Sequence, residues 1–355
     1  MTQIAILNDT HCDVRNSADI FLENQTRFYE DTFFPYCKEN GITQVLHLGD
    51  YYDNRKQINV KAIGHNRKVF LDPLRDNGMQ MDIIPGNHDV YYKNTNDLCT
   101  LKELLGHYMN NVHIIMEPTV LEYGGMKIGM VPWINNENYH SSVDWLQNTK
   151  SDIVCAHLEL NGFEMMKGVK STSGMDASLF NRFEMVLSGH YHTKSHQGNI
   201  HYLGNQMELT WADCNDPKYF HILDTETREL TPVRNPHTLF EKIVYNDKEI
   251  DYNTGYELKN LDKKFVKVAV VNKTDQFVFE RFLDRIQSYD IYELKIAENF
   301  QEFIGENVDD EGVNIEDTNE LLYTYVDNVD TDLNKDRIKG EMKDLMEEAQ
   351  TLDIV

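Results

Sequence analysis

The sequence predicts an α/β fold in which two sheets pack against each other. Over the first half, strand-like and helix-like segments alternate, as in parallel strands joined by right-handed helical crossovers. The strand-like segments are residues 3–7, 43–48 and 81–84, and the helix-like segments are residues 20–39, 60–76 and 97–108. Between Val112 and Gly189 short β-type runs dominate, with Gly124-Gly125 as a hairpin turn. These runs predict the second sheet.

A different kind of sequence follows this core. Pro232 and Pro236 place a boundary near residue 240, and a strand, helix, strand pattern then predicts a small α/β module at residues 241–305. Residues 306–319 are acidic and poor in apolar groups, as solvated linkers are, and residues 320–355 recover helical spacing with a narrow apolar stripe. The stripe docks either on the chain's own body or in a partner's groove, and the linker before it favours the partner.

Composition limits the possible functions. The 355 residues, 41% of them hydrophobic, suffice for two or three domains. The formal charge of −25 argues against broad electrostatic capture of nucleic acid, so a polyanionic substrate must be met locally by metals or a partner. There is no signal-like amino terminus, no run near roughly 18 apolar residues, and no CxxC pair among five cysteines. We expect a cytoplasmic protein with free thiols and no membrane contact.

Polar side chains follow several predicted strands at the point where each strand ends. The segments are Asp9-Thr10-His11, Gly49 to Asp53, Gly86 to Asp89, Ala156-His157 and Gly189 to His192. Ligand sites of open α/β sheets lie at the carboxyl ends of the strands. A lone histidine there is usually an ordinary polar residue, but five such segments in succession indicate a metal site. Mixed oxygen and imidazole donors suit Mn²⁺, Fe or Zn²⁺ better than Mg²⁺ or Ca²⁺.

These segments carry a family resemblance. The motifs DTH, GDYYD, GNHD, the isolated His157 and GHYH resemble, in order, the motif set of calcineurin-like metallophosphoesterases over residues 9–192. Within that superfamily the chain is most similar to SbcD-type DNA nuclease subunits, particularly those of tailed-phage recombination endonucleases. The supporting segments are Arg55-Lys56, HDVYYKN, VPWINNEN, HLELNGF and YLGNQMELTWADCNDPKYFHILDTET. One departure is Cys12-Asp13, where the family more commonly has an apolar residue and glycine.

The resemblance implies an architecture for the whole chain. It is a two-sheet αββα metallophosphoesterase sandwich with a small α/β cap and a C-terminal helical tail. The implied parts are a nuclease domain at residues 1–240, a capping and DNA-guiding domain at 241–305, the acidic linker at 306–319 and an ATPase-docking helical segment at 320–355.

The resemblance also implies residue roles. Asp9, His11 and His192 would hold one metal, Asn87, His157 and His190 the other, and Asp50 would bridge them. His88 would stabilise the transition state or donate a proton, oriented by Asp53. The cofactor would be two Mn²⁺ ions, with Mg²⁺ or other divalent cations as alternatives. Arg55, Lys56 and Lys93 are candidate contacts to the DNA backbone.

The implied function is a metal-dependent DNA exonuclease and endonuclease acting by two-metal in-line attack of water. It would work as a homodimer with an SMC-like ABC ATPase that binds the helical tail, in DNA recombination, repair and replication. The location would be the cytoplasm, which is the host's cytoplasm if the protein is phage-encoded. Two alternatives remain. One is a cyclic-nucleotide, nucleotide or phosphoprotein phosphoesterase, because metal ligands alone do not choose a substrate. The other is a non-catalytic scaffold on the same fold.

Overall fold

The computed structural model describes residues 3–108, 110–166, 169–253 and 256–297, together with Lys335 and Lys339. Its strands are Gln3–Leu7 (β1), Gln44–His47 (β2), Gln80–Ile83 (β3), Val112–Ile114 (β4), Thr119–Tyr123 (β5), Met126–Val131 (β6), Ile153–His157 (β7), Glu164–Met166 (β8), Val169–Lys170 (β9), Met185–Gly189 (β10), Ser195–Gln197 (β11), Ile200–Tyr202 (β12), Tyr219–Asp224 (β13), Leu230–Arg234 (β14), Phe240–Asn246 (β15), Phe265–Asn272 (β16) and Glu293–Ala297 (β17). Most belong to two six-stranded sheets.

The first sheet is built on the parallel strands predicted from the first half of the sequence. Its order is β14-β13-β1-β2-β3-β4, with β1 to β4 parallel and β13 antiparallel to β1. The amino-terminal strand is therefore internal, between β13 and β2. Pro232 lies in β14 at the sheet's edge, where a strand tolerates a residue that cannot donate a hydrogen bond.

Helical segments cover the outer face of this sheet. They are Asp19–Phe28, Tyr29–Phe33 and Phe34–Glu39, then Val60–Asn66, Arg67–Leu71 and Asp72–Asp76, then Thr100–Leu105 and Gly106–Tyr108. Tyr29–Phe33 and Arg67–Leu71 are π-helical turns, and each is followed by a proline at the start of the next segment. Because proline lacks an N–H and its ring clashes with the preceding turn, widening that turn lets the helix continue.

The second sheet has the order β11-β12-β10-β7-β6-β5 and is parallel except for its two edge strands. The β5–β6 hairpin turns at Gly124-Gly125, as predicted; both glycines have positive φ. A helix at Tyr139–Asn148, which the sequence did not reveal, packs Leu146 on the outer face with Val131 and Val186.

The core between the sheets joins apolar residues of both. Ile6 and Leu46 come from the first sheet, and Ile128, Cys155 and Leu187 from the second. A separate cluster lies under the helices of the first sheet, where the rings of Phe28, Phe33 and Phe220 meet. The layers are therefore helices, sheet, sheet and helices, which confirms the predicted αββα sandwich.

A third, smaller sheet follows the sandwich. Its parallel strands have the order β15-β16-β17, and the helix Gln276–Gln287 packs Phe282 against Tyr245 of the sheet. Asp275 begins this helix by accepting hydrogen bonds from the backbone amides of Phe277 and Val278. This is the β-α-β pattern read from the sequence, preceded by a further strand, β15.

Aromatic residues join the small sheet to the sandwich. The ring of Phe240 lies 4.8 Å from Trp211 and 6.4 Å from Phe21, and Phe265 lies 6.1 Å from Phe21. Glu208 also reaches the start of β15, where Oε2 accepts hydrogen bonds from the amides of Leu239 at 2.6 Å and Phe240 at 2.9 Å. The small sheet is therefore packed directly against the sandwich where the two parts of the chain join.

The remaining predicted segments lie largely beyond the part of the chain that the structure describes. The linker at 306–319 lies wholly outside it, as does the helical segment at 320–355 except for Lys335 and Lys339. Among the described residues, no helix is both long enough and apolar enough to cross a membrane.

Candidate metal centre

Strands of both sheets end at the same edge of the sandwich, and each predicted ligand lies at or just after one of these ends. Asp9 and His11 follow β1, Asp50 follows β2, Asn87 follows β3, His157 ends β7, and His190 and His192 follow β10. Parallel strands deliver their carboxyl ends to one edge, so residues far apart in sequence become neighbours.

One group of ligand atoms comes from Asp9, His11 and His192, all within 4.8 Å of one another. The Nε2 atoms of His11 and His192 lie 3.1 Å apart, and Nε2 of His192 lies 4.0 Å from Oδ1 of Asp9. Asp9 and His11 are buried. The structure therefore brings together the first predicted ligand set.

A second group joins Asp50, His157 and His190. Asn87 completes it, because its Oδ1 lies 2.9 Å from Nε2 of His157 and 3.0 Å from Nδ1 of His190. The Asn87 amide nitrogen is buried and has no hydrogen-bond partner among the described residues. The amide oxygen is thus the atom that faces the imidazoles, which is the ligand atom expected of an asparagine.

Asp50, a member of the second group, also faces the first group. Its Oδ2 is 3.3 Å from Nε2 of His157 and 4.0 Å from Nε2 of His11. One carboxylate oxygen therefore faces a histidine of each group, which is the placement predicted for a bridging ligand.

The donor chemistry of both groups fits divalent cations. Each group combines a buried carboxylate oxygen with two imidazoles, and these ligand atoms lie within 4.8 Å of one another. Such mixed oxygen and nitrogen sets suit first-row transition metals. Residues of these two groups would hold the cations.

The electrostatic field of the site favours positive charge. Burial opposes protonation of His11, yet Asp53, Asp50 and Asp9 raise its pKa to about 10. Burial likewise opposes protonation of His157, and Asp50 raises that pKa to about 9. Conversely, burial and the charge of His11 lower the pKa of His192 to about 4. Carboxylates that hold protons on two imidazoles would equally attract a cation in their place.

His88 and Asp53 lie beside the first group. Nδ1 of His88 donates a hydrogen bond to the backbone carbonyl of Asp53 at 2.5 Å, and the His88 amide donates to Oδ1 of Asp50 at 2.8 Å. The Asp53 carboxylate faces His11 instead, with Oδ1 3.1 Å from Nδ1. The hydrogen bond between Asp53 and His88 therefore runs through the backbone, and the Asp53 carboxylate also lies within 4.8 Å of a His88 ring nitrogen.

Asp13, the departure from the usual family pattern, supports this arrangement. Its carboxylate accepts hydrogen bonds from the amides of Asp53 at 2.6 Å and Asn54 at 3.4 Å. It is 4% exposed, so little water competes for these bonds. Asp13 thus fixes the turn that carries Asp53.

The loops at this edge have strained backbones. Asp9, His11, Asp50 and His190 all have positive φ, which costs a residue with a β-carbon free energy and is common at functional sites. Asp89 holds two of these loops together, because its buried carboxylate accepts hydrogen bonds from the amides of Tyr51, Tyr52 and Gly86.

Further residues position the predicted ligands, and the sequence alone did not identify them. Asn8 donates to Asp9 Oδ2 at 2.5 Å and to the Gly204 carbonyl at 2.8 Å. Buried Lys218 donates to the His192 carbonyl and lies 2.6 Å from Asp213. Trp133 packs against His190 with ring centroids 5.5 Å apart. Asn8 directly precedes the first motif, and Trp133 and Lys218 lie in segments that carry the family resemblance, which were the only sequence signals for these roles.

The candidate DNA contacts lie in loops that follow two of the motifs. Arg55 is half-buried, and Lys56 and Lys93 are exposed. The structure contains no nucleic acid, so contact with a DNA backbone stays a prediction.

The αββα sandwich with paired donor groups at one edge defines a class of phosphoester hydrolase. The chain belongs to the calcineurin-like phosphoesterase family, which matches residues 2–194. It is also similar to "Exonuclease subunit 1" of Enterobacteria phage T4, with 31% identity over 303 residues that cover 85% of this chain and 86% of that protein. The resemblance drawn from the motifs is therefore confirmed.

Two solved structures of phosphoesterases also align with the chain. A novel archaeal phosphodiesterase aligns with a TM-score of 0.35 and 14% identity, over 66% of this chain and 100% of that one. The calcineurin-like phosphoesterase YfkN from Bacillus subtilis aligns with a TM-score of 0.32 and 12% identity, over 66% and 88%.

Proposed function

We propose that this protein is the metal-dependent nuclease subunit of a DNA-processing complex. The observation that carries the proposal is the pair of donor groups sharing Asp50, in a chain that is similar to a phage exonuclease subunit along 85% of its length. The reaction is hydrolysis of a phosphodiester bond in DNA, with both exonuclease and endonuclease activity.

In this proposal Asp9, His11 and His192 hold one cation, Asn87, His157 and His190 hold the other, and Asp50 contributes to both. The preferred ion is Mn²⁺. Cations held by these residues would supply Lewis-acid polarisation of the phosphodiester and a water nucleophile near neutral pH for in-line attack. The loops around the site keep their ligands in place through Asp89, Asn8 and Lys218.

His88 is the proposed proton donor and transition-state stabiliser. Because Nδ1 donates to the Asp53 carbonyl, the other ring nitrogen, Nε2, is the one that would donate a proton to the leaving oxygen. Asp53 positions both imidazoles, His88 through its carbonyl and His11 through its carboxylate.

The function can be tested by a cleavage assay with Mn²⁺ on single-stranded DNA, double-stranded DNA and small phosphodiesters. We expect DNA cleavage, and a chelator should abolish it. Hydrolysis restricted to small esters or nucleotides would favour the alternative phosphoesterase. No hydrolysis of any substrate with metals bound would favour the scaffold.

The role of His88 has a separate test. We expect His88→Ala to lose phosphodiester cleavage while elemental analysis finds the metal content of the unaltered protein. His107→Ala is the control, because His107 lies in the turn after Leu105, away from the motifs. Normal cleavage by His88→Ala, or loss of its metal, would contradict the assigned role.

We further propose that the subunit is a homodimer that works with an SMC-like ABC ATPase in the cytoplasm. The phage relative is named as a subunit, which supports a partner. A partner with a basic DNA-binding surface would also reconcile the charge of −25 with a DNA substrate. In this picture residues 241–305 guide DNA and residues 320–355 bind the ATPase. Light scattering of the purified protein tests the dimer.

A further inference from the structure

The loop that follows His88 is closed at its base by backbone pairing. Val90 and Cys99 form an isolated antiparallel bridge, and the Tyr91 amide donates to the Leu98 carbonyl at 2.9 Å. The Thr100 amide donates to the Asp89 carbonyl, also at 2.9 Å. The loop therefore starts at the metal centre and returns to it.

The far side of the same loop is held by a second loop. The Glu137 amide donates to the Asn94 carbonyl at 3.3 Å, and the Asn96 side chain donates to the Trp133 carbonyl at 2.9 Å. Asn135 donates to Oδ1 of Asn96 at 2.9 Å. Trp133 itself packs on His190, so both anchors of the loop lead back to ligand residues.

This fixed loop presents two aromatic side chains to solvent. Tyr91 is 39% exposed and Tyr92 is 49% exposed, and their rings meet edge to face with centroids 4.8 Å apart. Leu98, at 39% exposure, lies across the bridge from them. The exposed rings of this anchored loop, which begins at the metal centre, can therefore bind a flat apolar group by stacking.

We propose that Tyr91 and Tyr92 form a stacking site for an unpaired nucleobase of the DNA strand being cut. The inference rests on the proposed nuclease function and adds how the strand is held. Three features favour a base as the occupant. The pair begins three residues after His88, its flat rings match the π-face that every base offers, and stacking needs no positive charge.

The charge of the chain favours a mode of DNA binding that does not depend on attraction of phosphates. With 59 acidic and 34 basic residues, the chain has little capacity for general attraction of phosphates. Stacking contributes affinity that is independent of charge and tolerant of sequence. Bases within a duplex are already stacked, so the site favours frayed ends and single strands.

The test compares Tyr91→Ala/Tyr92→Ala with Tyr91→Phe/Tyr92→Phe and with Tyr139→Ala, a matched control in which another tyrosine of 39% exposure is removed. The readout is the ratio of kcat/KM on single-stranded DNA to kcat/KM on a small phosphodiester. Hydrolysis of the small substrate depends on the metal centre alone, so the ratio isolates the contribution of DNA binding. We expect the double alanine variant to lower this ratio roughly 5- to 100-fold, mainly through KM. The phenylalanine and control variants should keep it.

A series of substrates, each with one abasic position, locates the base. In the unaltered protein we expect the cleavage rate to decrease only when the abasic position lies at one particular distance from the scissile phosphate. In the double alanine variant the rate should not depend on where the abasic position lies. An unchanged ratio in the alanine variant, or a loss shared by the phenylalanine variant, would overturn the stacking site. An unaltered protein that cleaves no DNA would instead refute the nuclease function itself.

Discussion

At the scale of single residues, Asp13 shows how a variation in a motif can support the chemistry beside it. Its carboxylate holds the amides of Asp53 and Asn54, and Asp53 in turn contacts His11 and His88. A glycine at position 13 would offer no such acceptor. The resemblance marked this position as unusual, but only the coordinates show which amides it binds.

Asp13→Ala should therefore impair catalysis more than folding. Two amides lose their acceptor, which costs about 1–3 kcal/mol of the free energy of unfolding, and the released Asp53 turn no longer fixes His88. We expect kcat on a small phosphodiester to fall at least about tenfold, as a misplaced catalytic group does. Asp13→Asn keeps an acceptor oxygen, so its kcat should lie between those of the unaltered protein and Asp13→Ala. Asp19→Ala, at an exposed ion pair with Lys61, is the control. Unchanged kcat in Asp13→Ala would show that the turn does not depend on this carboxylate.

The sequence indicated the predicted ligands more fully than the residues that position them, for a physical reason. Asp9, His11, Asp50 and His157 stand at strand ends in recognisable motifs, so strand prediction alone brings them to one edge. Lys218 and Asp13 act through hydrogen bonds to backbone groups distant in sequence, and such bonds leave no periodic pattern. The sequence also does not show that the Asp53 carboxylate faces His11 while its carbonyl contacts His88, because this orientation depends on side-chain packing.

At the scale of elements, the loops after β2 and β3 approach so closely that one position tolerates only glycine. A β-carbon on Gly86 would lie 2.5 Å from the Asp50 amide nitrogen and 2.8 Å from its carboxylate carbon. Both loops carry predicted ligands, so their separation sets the geometry of the metal centre.

Gly86→Ala should displace Asp50 and lower metal content, measured by elemental analysis of the purified protein. Gly64→Ala is a matched control, because Gly64 lies inside the Val60–Asn66 helix with nothing within 4 Å of its added carbon. That variant should raise the free energy of unfolding by up to about 1 kcal/mol, since alanine favours helix. Full metal content in Gly86→Ala would mean that the loops can separate without loss of the site.

The junction at β15 should respond to pH. Burial raises the pKa of Glu208 from 4.5 to about 7, although the Phe240 and Leu239 amides oppose the shift. Because the pKa of Glu208 is higher in the folded than in the unfolded protein, its protonated carboxyl contributes stability that is fully present below pH 4.5. This contribution to the free energy of unfolding is lost as pH rises through 7. Relative to the isosteric Glu208→Gln, the unaltered protein should lose about 3 kcal/mol of unfolding free energy between pH 4 and 8. Denaturant melts of both proteins in chelator would measure this, and parallel pH profiles would contradict it.

Among the elements, strands were easier to predict than helices. The buried strands β1 and β7 are almost wholly apolar, so composition marks them. The Tyr139–Asn148 helix buries only Ser142 and Leu146, too little to produce a helical pattern of apolar residues. The sequence predicts ordinary helix at the π-helical turns Tyr29–Phe33 and Arg67–Leu71, because the spacing of apolar residues hardly distinguishes a π-helical turn from an α-helical one.

At the scale of the whole molecule, the proposed division of labour separates hydrolysis from partner binding. Deleting residues 306–355 should leave the metal content and small-ester hydrolysis intact while abolishing co-purification with the ATPase. A chain carrying polar substitutions only at Leu333, Ile338 and Leu345, on the predicted apolar stripe, should behave in the same way. Undiminished co-purification of both variants would place the ATPase contact elsewhere.

The internal position of β1 also bears on how the protein is made. This strand is synthesised well before β13, with which it pairs up to Asp224, and Asp9, the predicted ligand that follows β1, meets His192. A nascent chain must extend to His192 before all the predicted metal ligands are present, and to Asp224 before β1 has both of its neighbouring strands. Hydrolytic capacity therefore arises late in synthesis, and contacts so distant in sequence should make folding slow.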